Sequence, residues 1–200
     1  MNKVKILVEG FGHKEENYKI VSPSVVLVET DKFKIIVDPG LNRKKLLESL
    51  EKENIKTGDI NFVFLTHNHL DHCALTGIFE NAIILDDDTQ YLQNGEIKAQ
   101  EKNILGEGIE IISTPGHDQF HGSMVVKTED MGTVVMAGDV FWWRDDMEPS
   151  KDYETLINLE DPFYKDLAIL KESRKKILEV ADYIIPGHGK MFKNNKSLEI

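Results

Sequence analysis

Residues 60–72, INFVFLTHNHLDH, join a run that is apolar on both faces to a stretch holding three of the chain's seven histidines and an aspartate. A strand apolar on both faces has to be covered on both, so it lies inside a layered structure. The residues that follow, HLDHCALTGIF, have the spacing of a short helix ending near Gly77. The histidine cluster is therefore expected where a buried strand exits into a helix. Neutral imidazole and carboxylate are ligands for zinc and similar ions, and at such a junction they can converge on one cleft at a sheet edge. The competing reading is a loop of solvated histidines.

The same punctuation recurs downstream. IISTPGH brings His117 to the end of a β run, VVMAGD brings Asp139, and YIIPGHG brings His188. A glycine beside each lets the backbone turn sharply and approach a bound ion closely. Taken singly, PGH or GD is an ordinary turn; taken with the first motif, the four segments point to one shared site.

Around these motifs the chain reads as alternating layers. VKILVEG, SVVLVET and KFKIIVDPG are β runs, with ETDKF as a hairpin connection. LNRKKLLESLEKENI sets Leu46, Leu47 and Leu50 on one helical face. AIILD, GIEIISTPG, GSMVVKTED and GTVVMAGDV form a second β-rich half. Asp161 and Pro162 are expected to cap and open a long helix reaching about Ala181, with Phe163, Leu167, Leu170, Ile177 and Ala181 along its apolar face. With no linker-like tract or repeat, residues 1–200 are expected to form a single domain.

Composition narrows the setting. A chain of 200 residues with 40% hydrophobic content can bury a substantial core. The longest apolar runs are strand-sized and the start lacks a secretory pattern, so no membrane association is expected. One cysteine, Cys73, excludes an internal disulfide and fits a reducing compartment, with the cytoplasm as the expected location. A net charge of -11 disfavours nucleic acid as a partner. The basic clusters Arg43, Lys44, Lys45 and Arg174, Lys175, Lys176 are read as solvated helix faces.

THNHLDH, TPGH, AGD and PGHG, in that order, resemble the metal motifs of the metallo-β-lactamase superfamily, and VDPG at 37–40 matches a further landmark. SRKKILEVADYIIPGHG, with GDVFWWRDD before it, is more particularly similar to the metallo-β-lactamase domain-containing protein 1 group. The resemblance implies an α/β fold, a four-layer αββα sandwich of two mixed β-sheets flanked by helices, with metals at one edge between the sheets. It also implies that His67, His69 and His117 hold one divalent ion, that Asp71, His72 and His188 hold a second, and that Asp139 bridges them. Zinc is the expected metal, with Mn2+ or Fe2+ as alternatives.

Asp71, Asp139 and His121 are the expected catalytic residues. His121 is expected near the second ion, binding substrate or shuttling a proton, against the alternative of a surface loop histidine. Asp38 is read as a carboxylate that orients a ligand imidazole, with DPG as a plain turn the competing reading. His13 either overhangs the cleft or lies on the surface. Trp142 and Trp143 either wall the site or pack beneath a loop, and Cys73 is read as a core thiol rather than a ligand.

The function implied is a binuclear metallo-hydrolase that readies a hydroxide between two ions and acts on a small-molecule ester or thioester. Three alternatives stand beside it: a phosphodiesterase or ribonuclease of the same fold, a mononuclear iron persulfide dioxygenase-like oxidoreductase, and a noncatalytic metal-stabilised binding module. A homodimer is left open.

Overall fold

A computed structural model describes residues 1–14, 16–17 and 19–195. In chain order, β1 (Lys3–Val8) is followed by a separate hairpin of β2 (Phe11–Lys14) and β3 (Lys19–Ser22), then β4 (Val25–Glu29), β5 (Lys34–Val37) and helix α1 (Arg43–Lys52). Next come β6 (Phe62–Phe64), the short helix α2 (Leu70–Cys73), β7 (Ile83–Leu85), β8 (Thr89–Tyr91) and β9 (Ile97–Ala99). The remainder supplies β10 (Ile109–Ser113), β11 (Gly122–Lys127), β12 (Thr133–Trp142), α3 (Tyr153–Ile157), α4 (Leu167–Val180), β13 (Tyr183–His188) and β14 (Phe192–Lys193).

The strands make a seven-stranded sheet ordered β1-β4-β5-β6-β7-β8-β9 and a five-stranded sheet ordered β10-β11-β12-β13-β14. Both are mixed, with β5–β6–β7 and β12–β13 parallel and the other neighbours antiparallel. Alternation along each strand explains why the two sheets stack. Val26, Val28, Ile35, Val37, Val134, Met136 and Ile185 face the shared interior. Their neighbours Val25, Leu27 and Ile36 face Leu46 and Leu50 of α1. Val135, Ala137 and Ile184 face Leu170, Ile177 and Leu178 of α4. Four layers result, helix, sheet, sheet, helix, as expected from the sequence. Each fully buried Leu, Ile or Val in them contributes about 1.5–3 kcal/mol.

Strand direction places the site. β5 and β6 run parallel, as do β12 and β13, and two successive antiparallel pairings set β10 parallel to β12. The C-terminal ends of β5, β6, β10 and β13 therefore collect at one edge of the sandwich. The sheets are tied together there: Gly122 N–H donates to the Thr66 carbonyl (2.8 Å), and Ser24 N–H to that of Gly187 (2.6 Å). Among the described residues no helix is long and apolar enough to cross a membrane.

Three local expectations are corrected. Helix α4 starts at Leu167 behind Asp166, whose carboxylate accepts from Ile169 N–H (3.0 Å), not at Asp161–Pro162. Asp161 is committed elsewhere, as described below, and Phe163 and Leu167 consequently lie exposed instead of on the apolar face. Arg174 is not on a solvated helix face. It is fully buried, donating to the carbonyls of Val140 (3.0 Å), Ile157 (3.1 Å) and Leu159 (2.7 Å). Asp139 does not end a β run either, because β12 continues to Trp142 through a register shift around Gly138.

Candidate metal centre

Seven side chains converge at the shared edge in two groups whose donor atoms lie within 4.8 Å of one another: His67, His69, His117 and Asp139, and Asp71, His72 and His188. His67 and His69 leave the end of β6, and α2 turns Asp71 and His72 back toward them. His117 comes from the β10–β11 loop, Asp139 from the irregularity in β12, and His188 from the last residue of β13.

In the first group His69 Nδ1 lies 2.8 Å from His67 Nε2 and 3.3 Å from His117 Nε2, and Asp139 Oδ2 lies 3.5 Å from His117 Nε2 and 4.0 Å from His67 Nε2. In the second, Asp71 Oδ2 lies 3.3 Å from His188 Nε2 and 3.8 Å from His72 Nε2. Asp139 Oδ1 faces this group, 3.3 Å from His72 Nε2 and 3.6 Å from His188 Nε2. One carboxylate thus gives one oxygen to each group. A tetrahedral ion with ligand bonds near 2.0–2.1 Å has ligand–ligand edges of about 3.3 Å, and these separations bracket that value.

In four of the cluster's five histidines the nitrogen that faces away from it has a hydrogen-bond partner. His188 Nδ1 meets only carbonyls, Ser22 at 2.8 Å and Phe11 at 3.1 Å, so it carries a proton and Nε2 is the nitrogen turned to the cluster, where burial works against charging but Asp139 and Asp71 raise the imidazole's pKa. His117 Nδ1 donates to Asp161 Oδ2 (2.7 Å). His72 Nδ1 donates to Asp38 Oδ2 (2.8 Å), which also accepts from the Thr66 hydroxyl (2.7 Å) while Asp38 Oδ1 accepts from Thr66 N–H (2.8 Å). With its proton given to Asp38, the Thr66 hydroxyl accepts from His67 Nδ1 (3.0 Å). Four imidazoles therefore turn Nε2 toward the cluster, the nitrogen a cation would take in exchange for any proton there. Asp38 holds a left-handed backbone angle (φ 47°) to reach both partners.

The electrostatics suit cation binding. Burial, reinforced by His72, keeps His67 well below the usual imidazole range. Burial also works against charging His72, but Asp139 and Asp38 overcome it and raise His72 well above that range. Asp139 resists burial through His72 and His188 and is held well below the usual carboxylate range. Even so, His72 Nε2 and Asp139 Oδ1 are buried without a hydrogen-bond partner. Unsatisfied buried polar atoms cost about 1–3 kcal/mol each, and an ion among them would remove that cost. The donor set of imidazoles and carboxylates therefore fits a borderline divalent metal.

Two glycines keep space free around the cluster, Gly187 for Asp139 and Gly138 for Thr66 and His121. A Cβ on Gly187 would collide with Asp139 Oδ1, and one on Gly138 (φ +51°) would sit 2.6 Å from Thr66 Oγ1 and 2.7 Å from His121 Nε2.

His121 was expected near the second ion, binding substrate or shuttling a proton, or else on a surface loop. It is instead fully buried and stacks on His67 of the first group with ring centres 5.1 Å apart. Burial pushes its pKa down to about 3, so it stays neutral. Its Nδ1 is hydrogen-bonded to Thr114 Oγ1 (3.0 Å). His13 lies on the surface, 3.9 Å from Asp145. Trp143 packs in the core against Phe192 at 5.0 Å, whereas Trp142 leans on Phe163 at 6.1 Å. Cys73 is only partly buried, its thiol 3.6 Å from the Asn68 carbonyl.

Asp161 is the participant the sequence reading missed as such. Its side chain is fully buried, and burial alone would raise its pKa, but the His117 contact wins and lowers it. Trp142 contributes from the side without a well-aligned hydrogen bond. Arg174 pins the carbonyls of Ile157 and Leu159, which fixes the segment leading to Asp161.

Comparison with known proteins decides the family. The metallo-beta-lactamase superfamily model matches residues 19–87. Metallo-beta-lactamase domain-containing protein 1 of Homo sapiens is 37% identical over 190 residues, covering 90% of this chain and 67% of that protein. The Xenopus laevis counterpart is 31% identical, covering 96% of this chain and 82% of its own length. The chain belongs to the metallo-β-lactamase superfamily. Within the family it spans only 66% of the length of the rat domain-containing protein 1 that it matches. Among solved structures, AidC, a dizinc quorum-quenching lactonase, shares the fold with a TM-score of 0.66 at 18% identity, over 90% of this chain and 78% of that one.

Proposed function

We propose that the cluster is the binuclear metal centre of a hydrolase, with zinc the expected ion, and that it cleaves a small ester or thioester. The observation that carries the reading is Asp139, whose two oxygens each face a separate donor group. A complete second group of Asp71, His72 and His188 favours two ions over the single iron of a dioxygenase. The dizinc lactonase with the same fold lends support for a small acyl substrate, as does the net charge of -11, which opposes long polyanions.

Two divalent ions held here would supply Lewis acidity and lower the pKa of a water shared between them. The chain's own part is positioning. His67, His72, His117 and His188 are locked in one tautomer by Thr66, Asp38, Asp161 and the Ser22 carbonyl. Asp139 sets the spacing of the two groups. Asp71, whose side chain is 22% exposed, is the carboxylate most open to solvent among the seven and would orient a water at the site by accepting a hydrogen bond from it. His121, neutral and sealed behind His67, supports that ligand's ring and does not touch substrate. In the net reaction water adds across the acyl–oxygen or acyl–sulfur bond, giving a carboxylic acid and an alcohol or thiol that takes up the proton.

Purified protein assayed on ester, thioester, phosphodiester and RNA substrates, before and after chelation and zinc restoration, tests the reading. Restorable ester or thioester cleavage is expected. Turnover that survives complete metal removal, or cleavage confined to RNA, would overturn it.

A further inference from the structure

The β2–β3 hairpin spans the two halves of the cluster. At its base, Phe11 pairs with Ser22, and both residues offer carbonyls to His188 of the second group. Three pairs further along, Lys14 faces Lys19, and Lys19 Nζ lies 4.9 Å above the ring of Phe163. Phe163 belongs to the first group's support, since its N–H donates to Asp161 Oδ1 (2.9 Å) and Asp161 holds His117. The hairpin is fastened on its other side as well: Lys45 Nζ lies 4.7 Å over the Phe11 ring, and Gly12 N–H donates to Asp145 Oδ1 at 3.0 Å.

The segments that carry the ligands also present large apolar side chains to solvent. Leu70, between His69 and Asp71, is 76% exposed; Phe120, three residues after His117, is 59% exposed; Phe163 is 48% exposed. Lys19 makes no ion pair with another described residue. On a chain of net charge -11, it is a cation held by an aromatic face beside the site.

We propose that Lys19, seated on Phe163, recognises a carboxylate at the non-reacting end of the substrate, and that the acyl chain between carboxylate and scissile bond rests on Phe163, Phe120 and Leu70. The substrate class is a carboxylate-bearing acyl ester or thioester. The inference rests on the hydrolase reading and narrows it. The Lys19 ammonium, with its cross-strand neighbour Lys14 adding to the local positive charge, attracts a carboxylate, and at a partly exposed rim the effect falls as salt screens it.

The test compares two esters of one acyl length, the p-nitrophenyl monoester of adipic acid and p-nitrophenyl hexanoate, with zinc-loaded protein. Wild type is expected to favour the adipate ester in kcat/KM by about fivefold at low salt. Lys19→Met should abolish that preference by raising KM for the adipate ester alone, Lys19→Arg should retain it, and Phe163→Ala should lower kcat/KM for both. Binding of adipic monoanilide followed by calorimetry gives a readout independent of turnover, with Lys19→Met weakening it by a similar factor. An unchanged ester ratio in a folded Lys19→Met protein, or equal monoanilide binding by both proteins, overturns the proposal. If neither ester is cleaved but the monoanilide binds in a Lys19-dependent way, recognition stands and the hydrolase reading falls.

Discussion

Replacing Asp161 by Asn separates support of a ligand from ligation itself. In the native chain two donors converge on this carboxylate, His117 Nδ1–H on Oδ2 at 2.7 Å and Phe163 N–H on Oδ1 at 2.9 Å. An Asn side chain has one acceptor oxygen, so either His117 or Phe163 would face its NH2 group. The charge is lost too, and with it the carboxylate that favours the charged form of buried Arg174. A hydrogen bond to a charged group is worth about 1.5–3 kcal/mol, which corresponds to roughly 10–100-fold in affinity and matches the usual cost of removing a carboxylate behind a metal-bound imidazole. Competition with a chromophoric chelator reads this directly. The step belonging to His67, His69 and His117 should weaken by that factor while the other step holds. The thermal midpoint should fall by about 2–4 °C for each kcal/mol lost. Two steps that superimpose on wild type, or that shift together, would refute the reasoning.

Gly187→Ala falls at a residue of β13 without a special backbone angle, but its Cβ would collide with Asp139 Oδ1 and press on the backbone at Gly138 C (2.9 Å) and Asp139 N (3.0 Å). Asp139 should therefore be displaced, in a protein whose folding is checked first by circular dichroism. Zinc stoichiometry should drop toward one per chain with kcat reduced at least about tenfold, a cost of ~1.4 kcal/mol in the barrier; a fully loaded, fully active variant would count against the bridging role. Far from the site, the hydrogen bond from Tyr91 to Asp86 (2.7 Å), with partial burial, pushes the phenol up to about 12. Because the folded pKa is the higher one, this bond's stabilisation is complete below about pH 10, the unfolded value, and is lost as pH rises through the folded value. Tyrosinate absorbance should show the late step in wild type and lose it in Tyr91→Phe; loss of an ordinary step near pH 10 instead would contradict the assignment.

Much of the architecture is readable from local pattern because both faces of β4, β5, β6 and β12 are buried and their alternation needs only neighbours to interpret. The positions that converge are those the motifs single out, since strand ends punctuated by glycine mark one edge of a parallel arrangement. What eludes the sequence depends on distant partners. Asp161–Pro162 has the local signature of a helix start, but its carboxylate is claimed by His117, 44 residues away in the chain. His121 carries no local sign of burial, as its environment is made by Thr114, His67 and Gly138 from three different segments. Arg174 did leave a trace: Leu170, Arg174, Ile177 and Leu178 follow the spacing of one helical face, so an arginine there had to be inside. The β8–β9 hairpin was likewise signalled by Asn94–Gly95, a dipeptide that favours tight turns, with Gly95 at φ +86°.

The account depends most on Asp139 standing between two ions. Elemental analysis of freshly purified protein, wild type and Asp139→Ala, followed by competition with a chromophoric chelator, measures the ion count and both affinities. Two divalent ions per wild-type chain, with both affinities weakened in the variant, is the predicted result. A wild-type chain that saturates at one ion, or a variant that holds two as tightly, would contradict it.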